Sequence, residues 1–149
     1  QVILSGRKVN DDMGYYVAEQ TAKLLIATGK NLLKTNVLIL GVTFKENVTD
    51  IRNTRVVDMI SEMKSYGINV DAVDYMADPE EFYKEYGYKL KEKPDKKYDA
   101  IVLAVKHKNY ENFDEENLSH LLCDDDKGIV VDIKGVLRGK INNYKYWTL

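Results

Sequence analysis

A doubly wound α/β domain, with a mainly parallel sheet and a connector helix ahead of its first strand, is the fold class this sequence predicts. Two observations carry that prediction. The short continuous apolar run "NVLILGV" has the composition of a strand buried on both faces of a parallel sheet, "YDAIVLAV" reads as another buried strand, and "INVDAVD" and "GIVVDI" as further strands. Segments with helical spacing and capping residues stand between them, and such alternation implies right-handed crossovers that lay helices on both faces of the sheet.

From Asn10 to Lys30, the side chains of Met13, Tyr16, Val17, Thr21, Leu24, Leu25 and Thr28 keep to one helical face. Asn10, Asp11 and Asp12 suit its start, and Gly29 its end. This helix belongs to no strand–helix–strand unit, so it reads as a connector from another domain whose apolar face serves for association. The first strand is Asn36 to Val42. The next helix takes Asp50, Asn53 or Thr54 as its cap, buries Val56, Val57, Ile60 and Met63, and stops at Gly67. Ile68 to Asp74 is the second strand. In "DPEEFYKEYG", Asp78 caps a short helix that has Pro79 in its first turn and closes at Gly87. The charged "KLKEKPDKK" connects it to a third strand, Tyr98 to Val105, which is followed by the helix "DEENLSHLL" and the strand "GIVVDI".

Composition excludes several classes of function. A chain of 149 residues supports one compact core. Its net charge of −2 comes from interspersed lysines and acids, leaving no basic field for a nucleic-acid backbone. No apolar run approaches the ~20 residues that span a bilayer, so no membrane partner is expected. The single cysteine, Cys123, cannot form an internal disulfide, which fits a reducing, cytoplasmic setting. It sits beside Asp124, Asp125 and Asp126, which oppose thiolate formation, so it reads as structural rather than nucleophilic. Two histidines without a shared helical face predict no metal site. The start "QVILSGRKVN" has neither an initiator methionine nor a cleavage site, and reads as a cut end.

In such sheets ligands bind outside the carboxyl ends of the strands, which draws attention to "GVTFKENVTDIRNT", Gly41 to Thr54. A dinucleotide turn needs several glycines so that a pyrophosphate can approach the backbone, whereas here Phe44, Lys45 and Glu46 fill the loop. Lys45 and Arg52 admit two readings. They supply charge to a phosphate or sugar hydroxyl, with Phe44 as an apolar surface for a ring, or they are a solvated lysine and a capping salt bridge from Arg52 to Asp50. Asp74 lies too far along the chain for the ribose-binding acid of a dinucleotide fold and reads as a cap for the loop leading to Pro79. His107 and Lys134 both follow strands, and each faces either a ligand or solvent.

The stretch "LILGVTFKENVTDIRNTRVVDMISEMKSYGINVDAVD" closely resembles the C-terminal UDP-binding domain of the UDP-glucose/GDP-mannose dehydrogenase family, through its phenylalanine–lysine pair and "DIRNT". "SGRKVNDDMGYYVAEQ" resembles the end of that family's central dimerisation helix, and "AIVLAVKHKNY" and "VVDIKGVL" its later strands. The details lean toward the UDP-N-acetylhexosamine branch of bacterial and archaeal surface-polysaccharide synthesis. The resemblance implies a Rossmann-like domain over residues 35–149 and the end of the central helix over 1–34. It implies a homodimer through that helix, and oxidation of a UDP-sugar C6 alcohol to a carboxylate by successive hydride transfers to NAD, through a thioester on an upstream cysteine.

Carried over position by position, Phe44 and Lys45 match the pair that contacts the UDP-sugar, and Arg52 matches an arginine that reaches the cofactor. Lys134 stands where many members have a substrate-touching arginine; it keeps the charge but lacks the planar fork. Arg7 matches a family position that serves either an interface or a ligand. The resemblance places NAD mainly on an upstream domain, and the catalytic cysteine with it, so no catalytic residue is assigned in this chain. The competing reading is a non-catalytic nucleotide-binding or oligomerisation module that keeps only the fold.

Overall fold

A computed structural model describes residues 12–124 and 126–149; Arg7 and the helix start expected at Asn10 lie outside them. In chain order the elements are helix α1 (Met13–Ala27), strand β1 (Asn36–Leu40), helix α2 (Val56–Ser65), strand β2 (Asn69–Val73), helix α3 (Pro79–Tyr86), strand β3 (Ala100–Leu103), helix α4 (Glu115–Ser119), and strands β4 (Ile129–Asp132) and β5 (Lys145–Thr148). The five strands pair in the order β2-β1-β3-β4-β5, and every pairing is parallel.

Alternate residues of the inner strands feed two cores, as the two-residue period of a strand requires. Val37, Ile39, Ala72, Val102 and Val131 face one core with Val17 and Leu25 of α1, Met59 and Met63 of α2, and Phe82 of α3. Leu38, Leu40, Ile101, Leu103 and Val130 face the other, with Tyr98, Tyr110 and Leu118. Helices thus cover both faces, which is why the inner strands read as unbroken apolar runs.

Local signals fix several element ends, those of α3 as the sequence predicts. Asp78 caps α3 by accepting the Glu80 and Glu81 N–H groups, and Gly87 ends it in the left-handed region. At α4, Asp114 and Asn117 form a reciprocal capping box. The Thr54 hydroxyl, one of the three caps considered for α2, accepts the Val56 N–H at 3.2 Å. Strand β5 is an element that the apolar-run signal does not reveal. It is a short edge strand with half-exposed side chains, and no helix intervenes between it and β4.

Helix α1 departs from the expectation of a connector with a free apolar face. It packs on α2 and reaches β4, and Val17, Ala18 and Leu25 are fully buried within the chain. Lys30, just beyond it, bonds Asp99 at 2.9 Å, and the other Asp99 oxygen accepts the Asn36 N–H at 2.8 Å, which fastens the end of this segment to the sheet. The exposed side of α1 instead carries Tyr15, Tyr16 and Ile26. The α1–α2 crossing is close because of Gly14, where a Cβ would stand 2.4 Å from the Arg55 carbonyl oxygen and 3.1 Å from the Met59 nitrogen. Both are backbone atoms and cannot rotate away. Gly14→Ala should therefore lower unfolding free energy by about 1–3 kcal/mol, the usual cost of overpacking, measured by urea denaturation.

Candidate functional site

The chain order reverses beside β1, whose neighbours β2 and β3 lie on its two sides. This is the switch point at which open α/β sheets form a crevice. A cleft of about 310 Å³ opens there, lined by Thr43 to Glu46 after β1, Ala104 and Val105 after β3, Lys134 after β4, and Asn53 to Val56 at the start of α2. Phe44, Lys45 and Lys134 are thus brought together across residues far apart in sequence. The start of α2 stands in the wall of the same space, and the positive dipole end of a helix favours an anion.

Backbone conformation explains how the β1–α2 loop presents those side chains. Gly41 has φ +97°, and a Cβ there would lie 2.7 Å from the Val105 Cβ and 2.9 Å from the Val105 nitrogen. The one glycine of this turn is therefore used to bring the ends of β1 and β3 together. Beyond it the loop closes on itself: the Phe44 N–H donates to the Asp50 carbonyl at 2.7 Å, and the Thr43 hydroxyl donates to the Lys45 carbonyl at 2.8 Å. Phe44, Lys45 and Glu46 are left exposed at the cleft.

Arg52 does not line the cleft. Its Nε and Nη2 each donate to an Asp50 carboxylate oxygen at 3.0 Å, and these bonds hold the Asp50 carboxyl down at about 2. The Arg52 side chain is 79% exposed, so the capping salt bridge, one of the two readings of this residue, is what the structure displays. Arg55, which the sequence reading did not single out, does line the cleft. Its signal was its place at the first turn of the helix that follows the ligand loop.

Asp74 and His107, taken separately in the sequence, form one buried unit behind the loop. Strands β2 and β3 flank β1, so the residues just past their carboxyl ends converge over its exit. The His107 Nδ1 accepts the Asn47 N–H at 2.9 Å, which assigns the proton to Nε2, and Nε2 donates to Asp74 Oδ2 at 3.0 Å. The same Asp74 oxygen accepts the Val42 N–H at 2.6 Å, while its Oδ1 accepts the Met76 and Ala77 N–H groups at 2.7 and 2.9 Å. Asp74 is the loop cap expected of it, and His107 is fully buried rather than a solvated loop residue.

Burial pushes the Asp74 carboxyl up, but the His107 hydrogen bond and the Val42 and Met76 N–H groups outweigh it and leave it below its ordinary value. A carboxyl depressed by folding contributes stability that is fully present above its unfolded value, about pH 4, and is lost as pH falls through the folded one. Acid titration of unfolding free energy should therefore fall more steeply below about pH 4 in the wild type than in Asp74→Asn.

Cys123 lies at the opposite end of the sheet. Its N–H donates to the Tyr98 carbonyl, and its thiol is 3.7 Å from Asp99, at the amino end of β3 and far from the cleft. Among the described residues no group of three His, Cys, Asp or Glu side chains is placed to hold a metal ion, and no helix is long and apolar enough to cross a membrane.

Residues 38–139 match the UDP-glucose/GDP-mannose dehydrogenase family, UDP binding domain. The chain belongs to this family. It is 43% identical over 138 residues to the UDP-N-acetyl-D-glucosamine 6-dehydrogenase of Salmonella typhi, covering 92% of this chain and 32% of that protein. Protein CapL of Staphylococcus aureus is 41% identical with the same coverage of both chains. The fold of UDP-D-ManNAc dehydrogenase from Pyrococcus horikoshii superimposes with a TM-score of 0.77 at 18% identity, over 95% of this chain and 32% of that one. A UDP-glucose dehydrogenase from Pyrobaculum islandicum does so with a TM-score of 0.68 at 25% identity, over 94% and 30%. The chain spans about a third of the length of the curated relatives it matches. The part that matches the UDP-glucose/GDP-mannose dehydrogenase family begins within β1 and takes in Phe44, Lys45, Arg52 and Lys134.

Proposed function

We propose that this chain holds the nucleotide sugar of an NAD-dependent UDP-sugar 6-dehydrogenase that oxidises a C6 alcohol to a carboxylate for surface-polysaccharide synthesis in the cytoplasm. The observation that carries the reading is the convergence of Phe44, Lys45 and Lys134 with the start of α2 on one cleft. Phe44, 54% exposed, offers a ring face for uracil or sugar. Lys45 and Lys134 offer ammonium donors, and the α2 N-terminus offers N–H groups, to the diphosphate. In this reading residues 35–149 form the UDP-sugar-binding domain, and residues 1–34 end a central helix through which two copies pair. The outer side of α1, with Tyr15, Tyr16 and Ile26, is the surface left for that pairing.

NAD accepts the hydrides in the proposed reaction, but the β1–α2 turn does not fit its pyrophosphate. Gly41 is filled against Val105, and side chains occupy the place where a phosphate would approach the backbone. We assign NAD mainly to polypeptide outside these 149 residues, with Arg52 reaching it from this side; the nucleophilic cysteine likewise lies outside them, since Cys123 is at the wrong end of the sheet. The test is an assay for NADH with a panel of UDP-sugars, using the longest reading frame that contains this chain. NADH production with a UDP-N-acetylhexosamine is expected from that frame, and none from the 149 residues alone. A long frame inactive on every UDP-sugar, or an active fragment, overturns the proposal.

A further inference from the structure

Behind the cleft, the loop that carries Phe44 and Lys45 is tied to the segment leaving β3 through Asn47, a residue in the left-handed region at φ 60°. That conformation is uncommon for any residue but glycine and persists where surrounding bonds determine it. Two bonds do so here, both to the segment leaving β3. The Asn47 side-chain carbonyl accepts the Lys108 N–H at 2.7 Å, and the Asn47 N–H donates to His107 Nδ1 at 2.9 Å. His107 can accept there only because its proton is on Nε2, where Asp74 Oδ2 receives it at 3.0 Å and Thr43 Oγ1 lies 3.2 Å away. Asp74 is in turn fixed by four backbone N–H groups, those of Val42, Thr43, Met76 and Ala77.

From this chain of contacts we infer that His107 is a positioning residue for the nucleotide cleft: it transmits the fixed end of β2, through its imidazole, to the loop that presents Phe44 and Lys45. It lines no part of the cleft, and it acts on a ligand through the loop it holds, by its bond to the Asn47 N–H and by the Nε2 contact with Thr43 Oγ1. Asp74 sets the tautomer, the tautomer makes Nδ1 an acceptor, and the acceptor holds the loop. This inference rests on the reading of the cleft as a UDP-sugar site.

Two substitutions separate the loop bond from simple core support. In His107→Asn the amide oxygen stands near the position of Nδ1 and can still accept the Asn47 N–H, but nothing reaches Asp74. In His107→Gln the amide nitrogen can still reach Asp74, but no acceptor faces Asn47. Each loses buried hydrogen bonding of the imidazole, so both should melt below wild type. Only His107→Gln should lose exchange protection at the Asn47 amide, and its UDP affinity should fall about tenfold while that of His107→Asn stays within about threefold of wild type. In the wild type a through-bond nitrogen–nitrogen coupling between the Asn47 amide and His107 Nδ1 should be visible by NMR, which tests the claim even if a variant fails to fold.

Equal UDP affinities in the two variants overturn the positioning role, as does a proton on Nδ1 in the wild type. A wild-type chain that shows the coupling and binds no UDP instead overturns the reading of the cleft, leaving the loop tie standing.

Discussion

Replacing Lys45 by alanine should weaken UDP-sugar binding by ten- to hundredfold while leaving the melting temperature where it was. The ammonium stands exposed on the cleft loop, where a bound diphosphate or sugar hydroxyl would accept a charge-assisted hydrogen bond of about 1.5–3 kcal/mol. The loop's own shape does not depend on this side chain. Its closure uses the Phe44 N–H and the Lys45 carbonyl, both of which alanine retains. Calorimetric titration of wild type and variant gives the affinities, and thermal melts give the folding control. Unchanged affinity with unchanged melting would return Lys45 to the reading of a solvated loop charge.

The largest stability effect is expected at Gly41. Alanine there meets two separate penalties, a φ of +97° that side chains rarely adopt and a Cβ 2.9 Å from the Val105 backbone nitrogen. Together they should cost about 3 kcal/mol or more, a drop in melting temperature on the order of 10 °C for a chain of this size. Gly87→Ala is the control, since Gly87 also has a positive φ, +70°, but a Cβ there meets nothing within 4 Å. It should cost only about 1 kcal/mol. If the two alanine variants melt together, the approach of β1 to β3 is looser than the structure shows. Because Val105 lines the cleft, the Gly41 variant should also bind UDP more weakly than the Gly87 variant.

The sequence is most legible where one local rule acts alone. The three inner strands show as apolar runs because both of their faces are buried, and Asp78 shows as a cap, with Thr54 among three candidates, because capping depends on neighbours in sequence. Strand β5 escapes because an edge strand with half-exposed lysine, tyrosine and tryptophan has neither an apolar run nor a clean alternation. The apolar face of α1 was legible but its partner was not, since periodicity says that a face is buried and not against what. In the site, Phe44, Lys45 and Lys134 could be named from a resemblance, but their meeting in one cleft depends on strand order. Asp74 and His107 became a pair for the same reason: they are 33 residues apart and meet only because β2 and β3 flank β1. Arg52 shows the converse case, in which the local salt bridge to Asp50 is the contact that the fold displays.

The account stands or falls on whether the cleft at the carboxyl ends of β1, β3 and β4 is the nucleotide site. The direct measurement is titration of UDP into the isotope-labelled 149-residue chain, with amide NMR shifts mapped along the sequence. The account predicts saturable shifts concentrated at Phe44 to Asn47, Asn53 to Val56 and Lys134, and none near Cys123 or in the surface groove between Pro79 and Leu90. Shifts centred on that groove, or no shifts at millimolar UDP, would contradict it.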